Sequence, residues 1–418
     1  MMCRKKMGLI VVMTLLLMSG CEDFDYKMSD AIAETTACFQ PNTSIQGHPF
    51  GVNLDPYRAN QLDQEWSVLF DDIDYLRAGH PFFLRITLRA QWMQSDVQYD
   101  DNGNPYVTYD RSEGSYYAQV KEICTYAHES AGEITILGIL YGTPWFNAQD
   151  GSHGPGIPIN IAVWQDFVQT MLFDFPEITT WEIWNEPDLT LYWLGTATEF
   201  GEKIYNPARE VIRRFKPQDT IIAPSWAQNY HYFSFLPDID TPFPLFGWSG
   251  HRDVYEPDRG DLADLFHSIG GIDAFDAWGV HAYAHFAADQ QEWSSIIQDY
   301  ACHWDLWLHS LAGEDYVPVE YWITEIGIDT ELVGYTEEDA ADFFDYFITD
   351  QLLDYDPVND AEVNGADPFI TKMFIYELYD ENIFNDQGGF MGLFSEAGIP
   401  KAPAELYRAK IKAYYEQQ

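Results

Sequence analysis

Two glutamates carry the chemistry that this chain is equipped to do. Glu186 closes the run Trp181, Glu182, Ile183, Trp184 and Asn185, and Pro187 follows it. Glu325 closes Tyr321, Trp322, Ile323 and Thr324, with Ile326 and Gly327 behind it. Both runs are rich in strand formers. Proline removes a backbone donor and ends a ladder. A carboxylate at the C-terminal end of a strand is where barrel enzymes keep their reacting groups. Two such groups facing across a cleft are the minimal apparatus for cutting a glycosidic bond. One must hold a proton for the leaving oxygen. The other must be ionised to attack the anomeric carbon. Neighbouring like charges resist double ionisation, which separates the two roles. Attack through a covalent intermediate needs the pair ~5–5.5 Å apart, and inversion needs ~6.5–9.5 Å.

Residues so far apart in sequence meet only if the fold brings them to one rim. The chain alternates short apolar runs with amphipathic stretches, the βαβα rhythm of a parallel sheet. Candidate strands are 50–54, 82–88, 134–141, 179–184, 220–224, 274–281, 321–325 and 370–376. Helices are expected at 61–77, 115–131, 162–172, 198–215, 337–353 and 403–415. Eight such units predict a closed (β/α)8 barrel, the α/β TIM-barrel class, spanning residues 45–418 as one domain. Length alone would allow about three domains at ~150 residues each, but a barrel absorbs this length in one. Glu186 and Glu325 then end the fourth and seventh strands, which lie across the barrel from each other. Residues 97–109 read as an inserted hairpin with an Asn-Gly turn. Loops at 142–158 and 226–260 follow strands and so belong to the catalytic rim.

The chain has 418 residues, 22 Lys+Arg against 67 Asp+Glu, and a formal net charge of −45. Such a field repels nucleic acid and tilts the expectation toward a neutral substrate. Aromatic residues make up 16% of the chain, enough to fill a bulky core and to line a cleft with flat faces for sugar rings. Arg4, Lys5 and Lys6 precede an apolar run from Met7 to Met18, too short for a spanning helix of ~20 residues. Leu17, Met18, Ser19, Gly20 and Cys21 resemble the lipobox of bacterial lipoproteins. On that reading residues 1–21 are a signal peptide and Cys21 bears the lipid. Residues 22–44 are then a tether, and the membrane is engaged only through the lipid. A plain secretory peptide is the alternative. Glu22, Asp23 and Asp25 look like the surface-export signals of some Gram-negative lipoproteins, so the expected location is the cell envelope, at the outer membrane or cell surface. Cys38, Cys124 and Cys302 remain, with room for one disulfide among them and no metal-ligand spacing. The acidic turn at 101–104 does not match a Ca²⁺ loop. Neither a metal nor another cofactor is expected.

Trp-Asn-Glu-Pro at 184–187 and Thr-Glu-Ile-Gly at 324–327 resemble the acid/base and nucleophile motifs of clan A glycoside hydrolases, with families 5 and 39 nearest. The resemblance implies a retaining enzyme on a (β/α)8 barrel, Glu186 as acid/base and Glu325 as nucleophile. It gives Asn185 the sugar 2-hydroxyl. Strand parity puts Asn185 and Glu186 on opposite faces, so the strand end must curl, with Pro187 as the expected cause. His281 and Tyr283 match the sixth-strand His-x-Tyr pattern. There His281 lines the subsite and Tyr283 donates to the nucleophile. Arg85 matches the second-strand arginine below the nucleophile, and Trp145 the third-strand loop lining the cleft. Tyr376 stands where many members have a tryptophan platform. Residues 392–394 and 400–403 resemble the closing strand-to-helix passage. The implied partner is a β-linked glycan, cut internally. The alternatives are an exo-β-glycosidase, a catalytically silent carbohydrate-binding lipoprotein and a metal-dependent hydrolase.

Overall fold

A computed structural model describes residues 48–56, 66–99, 105–130, 133–226, 262–283, 308, 311–313, 316, 319–328, 330, 336–353, 370–380, 391–395 and 398–417. The leader, Cys21, the tether, the 101–104 turn and most of the 226–260 loop lie outside them. Among the described residues ten strands are formed: β1 (Phe50–Leu54), β2 (Phe82–Arg89), β3 (Gln94–Tyr99), β4 (Pro105–Tyr109) and β5 (Ile134–Tyr141), then β6 (Ile178–Ile183), β7 (Thr220–Ile222), β8 (Ala277–Tyr283), β9 (Glu320–Gly327) and β10 (Ile370–Ile375). Eight of them close a parallel barrel in the order β1-β10-β9-β8-β7-β6-β5-β2, and β3 and β4 form a separate antiparallel hairpin. The (β/α)8 fold is therefore the architecture of the chain, with β6 and β9 as fourth and seventh barrel strands.

Each barrel strand is covered on both faces, which is why the strand sequences read as nearly continuous apolar runs. Outward side chains such as Ile136, Trp181 and Ile323 pack under helices in one large buried cluster. Inward ones form a second cluster of Phe83, Leu137, Ile222, Ala277, Trp322 and Phe374. Helix starts follow side-chain caps: Ser115 accepts from Ala118 N before Tyr116–Glu129, and Asn160 accepts from Ala162 N before Ile161–Asp174. The final helix, Ala402–Glu416, is tied to the first strand by Tyr407, whose hydroxyl accepts from Gly51 N at 2.9 Å and donates to Gly51 O at 2.8 Å.

Three expected elements differ. The helix at 337–353 is α-helical only over Glu337–Tyr346 and passes into a π-helical turn, Phe347–Leu353. The helix at 198–215 is interrupted: Ala197–Phe200 passes through a wide π-helical turn, Gly201–Tyr205, into Asn206–Phe215. Gly201 opens that turn against a neighbouring helix, where a Cβ would lie 2.2 Å from Ser268 O. The strand expected from 274 begins at Ala277, because Gly270 and Gly271 take positive φ and Gly271–Ala274 coils into a 3-10 turn. The expected disulfide pool also shrinks, as Cys124 is a buried free thiol whose pKa burial pushes up. Cys38 and Cys302 lie outside the described residues.

The inner packing is tight enough to test. A Cβ on Gly51 would fall 2.6 Å from Phe374 Cδ1 and 2.8 Å from Phe83 Cβ. Gly51→Ala should therefore destabilise the barrel by roughly 1–3 kcal/mol through overpacking, read by denaturant unfolding. No change in midpoint would mean that the inner layer is loosely filled.

Candidate active site

Above the inner apolar cluster the barrel axis turns polar. Inward positions two residues further along the same strands carry Arg85 above Phe83 and Thr324 above Trp322. Register puts Asn53 beside Arg85 and Ile139 beside Glu182. Arg85 is fully enclosed, and its guanidinium reaches five partners, His281 among them. Nε donates to Glu182 Oε2 at 2.8 Å and Nη2 to Glu182 Oε1 at 3.1 Å. Nη1 donates to Asn53 Oδ1 at 2.7 Å and to Glu325 Oε1 at 2.6 Å. Nη2 also reaches Asn185 Oδ1 at 3.1 Å. Burial works against the charge on Arg85, but Glu182 and Glu325 outweigh it and raise the pKa further above the ordinary arginine value.

The two strand ends deliver their carboxylates by different distortions. In β9 the pairing with β8 slips between Val280↔Ile323 and His281↔Glu325, leaving Thr324 as an extra residue. That bulge lets consecutive residues serve the interior: Thr324 Oγ1 meets Ser225 Oγ at 2.5 Å, and Glu325 meets Arg85. Beyond β6 the curl is made by left-handed backbone at Trp184 (φ 78°) and Glu186 (φ 43°), rather than by Pro187. Ser225 secures the turn by accepting from Glu186 N at 2.8 Å, and its own N donates to Glu182 Oε1 at 3.1 Å. Close approach of Ser225 to β8 requires glycine at 279, where a Cβ would lie 2.5 Å from Ser225 Oγ.

His281 joins the two carboxylates. Its Nδ1 lies 2.7 Å from Glu186 Oε1 and 3.4 Å from Glu325 Oε2. Nε2 faces Arg85 Nη2 at 3.4 Å, and Nδ1, which faces both carboxylates, donates to Glu186. One ligand atom from each of Glu186, His281 and Glu325 lies within 4.8 Å of the others. The sequence spacing had offered no such cluster for a metal; the fold assembles one. The donor set is a poor cradle for a cation. A metal would have to displace the Nδ1–H hydrogen bond to Glu186 and sit against a guanidinium already bound to Glu325.

Arg85, Asn185, Glu186, His281 and Glu325 thus converge. Tyr283 ends β8, but its side chain lies outside the described residues. Tyr376 follows β10 half-buried, its N donating to Ile326 O at 2.7 Å. Trp145 stands on the rim loop after β5 and is 55% exposed. Trp226 and Trp278 are fully buried with ring centroids 5.1 Å apart, so both belong to the core, and Trp248 lies outside the described residues. Sequence reasoning missed Asn53, Glu182, Ser225 and Tyr192. Burial raises the Tyr192 phenol well above its usual pKa, and the charges of Glu186 and Glu325 push it further, which puts it beside the pair. It lies on the same loop as Glu186, six residues on; that proximity was the available signal.

Burial alone would lower the His281 pKa; the facing Glu325 and Glu186 carboxylates overcome it and raise the value. A group raised on folding contributes stability that is complete below its unfolded pKa of about 6.5 and fades as pH climbs through the folded value. The unfolding free-energy gap between wild type and His281→Gln should therefore be widest near pH ~6 and narrow steadily above ~6.5. Denaturant titrations across that range check it, and a gap that stays flat would mean a neutral imidazole in the folded state.

The sequence matches no known family model, and no curated protein matches it. Solved structures do share the fold. A family 39 glycoside hydrolase from the gut symbiont Bacteroides cellulosilyticus aligns with TM-score 0.54 and 14% identity, over 90% of this chain and 66% of that one. A GH5_18 enzyme from Streptomyces cattleya, in complex with GlcNAc, aligns with TM-score 0.55 and 13% identity, over 90% and 82%. A GH39 enzyme from Xanthomonas axonopodis pv. citri aligns with TM-score 0.50 and 15% identity, over 87% and 67%. This chain therefore spans about two thirds of the length of the family 39 proteins. At such identities the likeness establishes a common barrel architecture, the one on which these glycoside hydrolases are built.

Proposed function

We propose that this chain is a retaining glycoside hydrolase that cuts β-linked polysaccharides or their oligosaccharides internally, tethered to the cell envelope through Cys21. The observation that carries the reading is the spacing of the pair. Carboxylate oxygens of Glu186 and Glu325 approach within 4.8 Å. A nearest approach this short favours direct attack, with carboxyl groups ~5–5.5 Å apart, over inversion at ~6.5–9.5 Å.

In the first half-reaction Glu325 attacks the anomeric carbon while Glu186 protonates the leaving oxygen. In the second, Glu186 takes a proton from water, which attacks the glycosyl–Glu325 ester and frees the carboxylate. Arg85, 2.6 Å from Glu325 Oε1, supports the charge that returns to Glu325 when the ester breaks. His281 holds Glu186 in place through both halves. Asn185 gives its Oδ1 to Arg85, so its Nδ2 is the donor offered to the sugar 2-hydroxyl. Tyr376 and Trp145 supply flat faces at the rim. The resemblance to clan A enzymes, the shared barrel and the acidic surface all favour a neutral β-glycan.

A metal-dependent hydrolase is the second reading, favoured by the Glu186, His281 and Glu325 cluster. One assay separates them. Glu325→Gln should lose at least roughly 10⁴-fold in kcat on a glycan substrate with the fold intact, and wild type should be indifferent to chelators. Substantial residual turnover would end the nucleophile assignment, and loss of activity on chelation would favour the metal reading. Glu186→Ala should lose far less on an activated aryl glycoside than on a natural glycan, because a good leaving group needs no proton. Equal losses on both substrates would remove the acid role.

A further inference from the structure

Glu182 is the most deeply enclosed carboxylate of the site, with no exposed surface, and the proposed chemistry gives it no part. It cannot touch a substrate from there. Yet it takes two of the guanidinium's donors in a side-on fork, Nε at 2.8 Å and Nη2 at 3.1 Å. A planar guanidinium fixed along that edge has no freedom left for the other. Its remaining nitrogen, Nη1, is thereby aimed at Glu325 Oε1 at 2.6 Å, with Asn53 Oδ1 at 2.7 Å on the other side. The Ser225 N–H holds Glu182 in turn, at 3.1 Å from Oε1, and the Ser225 carbonyl anchors the backbone of Glu186.

We propose that Glu182 is a positioning residue for Glu325 and acts through Arg85. It balances the guanidinium charge so that Arg85 steadies Glu325 without neutralising it as a nucleophile. It also fixes the plane in which Nη1 points. A purely structural ion pair would stabilise the barrel but leave turnover per folded molecule unchanged. The inference rests on the glycoside hydrolase reading for its kinetic consequence, though its geometric consequence stands apart from that reading.

The test has two arms. In the kinetic arm, Glu182→Gln keeps the volume and removes the charge. It should lower kcat on an aryl β-glycoside roughly 10- to 100-fold, with KM changed less than about threefold. In an Arg85→Lys background the same substitution should cost almost nothing further, since the route through the guanidinium is already broken. Where Glu182→Gln does not fold, Glu182→Asp keeps the charge and withdraws the carboxylate by one methylene, and it should show the same kcat-only loss. In the structural arm, which needs no substrate, a crystal structure of the folded variant should show the Arg85 Nη1 to Glu325 Oε1 contact lengthened by more than about 0.5 Å, the tolerance of a catalytic geometry. A folded variant with wild-type kcat, losses that add independently of Arg85, or an unmoved Arg85 would each overturn the proposal. A wild type inactive on every glycoside, with Arg85 displaced in the variant, would instead sink the glycoside hydrolase reading and leave the positioning role standing.

Discussion

The site depends on one buried guanidinium. Arg85 sits on the barrel axis among three carboxylates that the fold places within its reach or one imidazole beyond it: Glu182, Glu325 and, through His281, Glu186. Removing a carboxylate from water costs several kcal/mol even after relaxation, and only close opposite charge with full hydrogen bonding returns it. Arg85 provides that return to residues on β6 and β9, and it draws Asn53 from β1 and faces His281 from β8. Five strands, none adjacent in sequence to all the others, are thus held to one register by a single side chain. A one-residue slip of any of them would turn its polar residue outward into the helical layer and leave the others unpaired.

That constraint explains why both strand ends are irregular. Simple alternation allows each strand one inward residue in two, whereas the site needs neighbours. β9 meets the need with an extra residue, so that Thr324 serves Ser225 and Glu325 serves Arg85. The end of β6 meets it with positive φ at Trp184 and Glu186, conformations that cost on the order of 1–3 kcal/mol for a side chain other than glycine. Such strain persists only where surroundings over-determine it. Here Trp184 is fully buried against Tyr141, Trp164 and Trp193, and the Glu186 amide is held by Ser225.

Much of this was legible in the sequence, for identifiable reasons. Strands β1 and β5 begin and end where the apolar runs do, because residues buried on both faces leave little ambiguity. The acidic strand ends stood out because a charged residue there has a role only at a rim. Glu182, Asn53 and Ser225 were not found, because nothing local marks an inward residue beneath the rim. A rule was available all the same. Glu182 lies inside a strand whose neighbours are Trp181 and Ile183, and a carboxylate in a doubly covered strand must have a cation near it. Arg85 sits in an equally apolar run, so the two could have been paired before any coordinates. The broken helix at Gly201 was not accessible in this way, since nothing local marks the close approach of Ser268 from a distant helix.

The division of the barrel interior then fixes how strong these interactions are. Phe83, Trp322 and Phe374 fill the lower half, with ring centroids 5.6–6.3 Å apart, and the ammonium of Lys372 lies over Phe83 and Trp322. Burial pulls the Lys372 pKa down, against the pull of Glu320. This buried aromatic layer closes the barrel beneath Arg85, itself enclosed. The guanidinium therefore acts on Glu325 through a medium of low effective dielectric, where a contact of 2.6 Å is worth several times its value in water. The acidic surface of a chain with formal net charge −45 has little influence at that depth, because solvent and salt screen it over about 8–10 Å. The acidic coat thus governs what approaches the protein, while the aromatic plug and one arginine govern what its buried carboxylates can do.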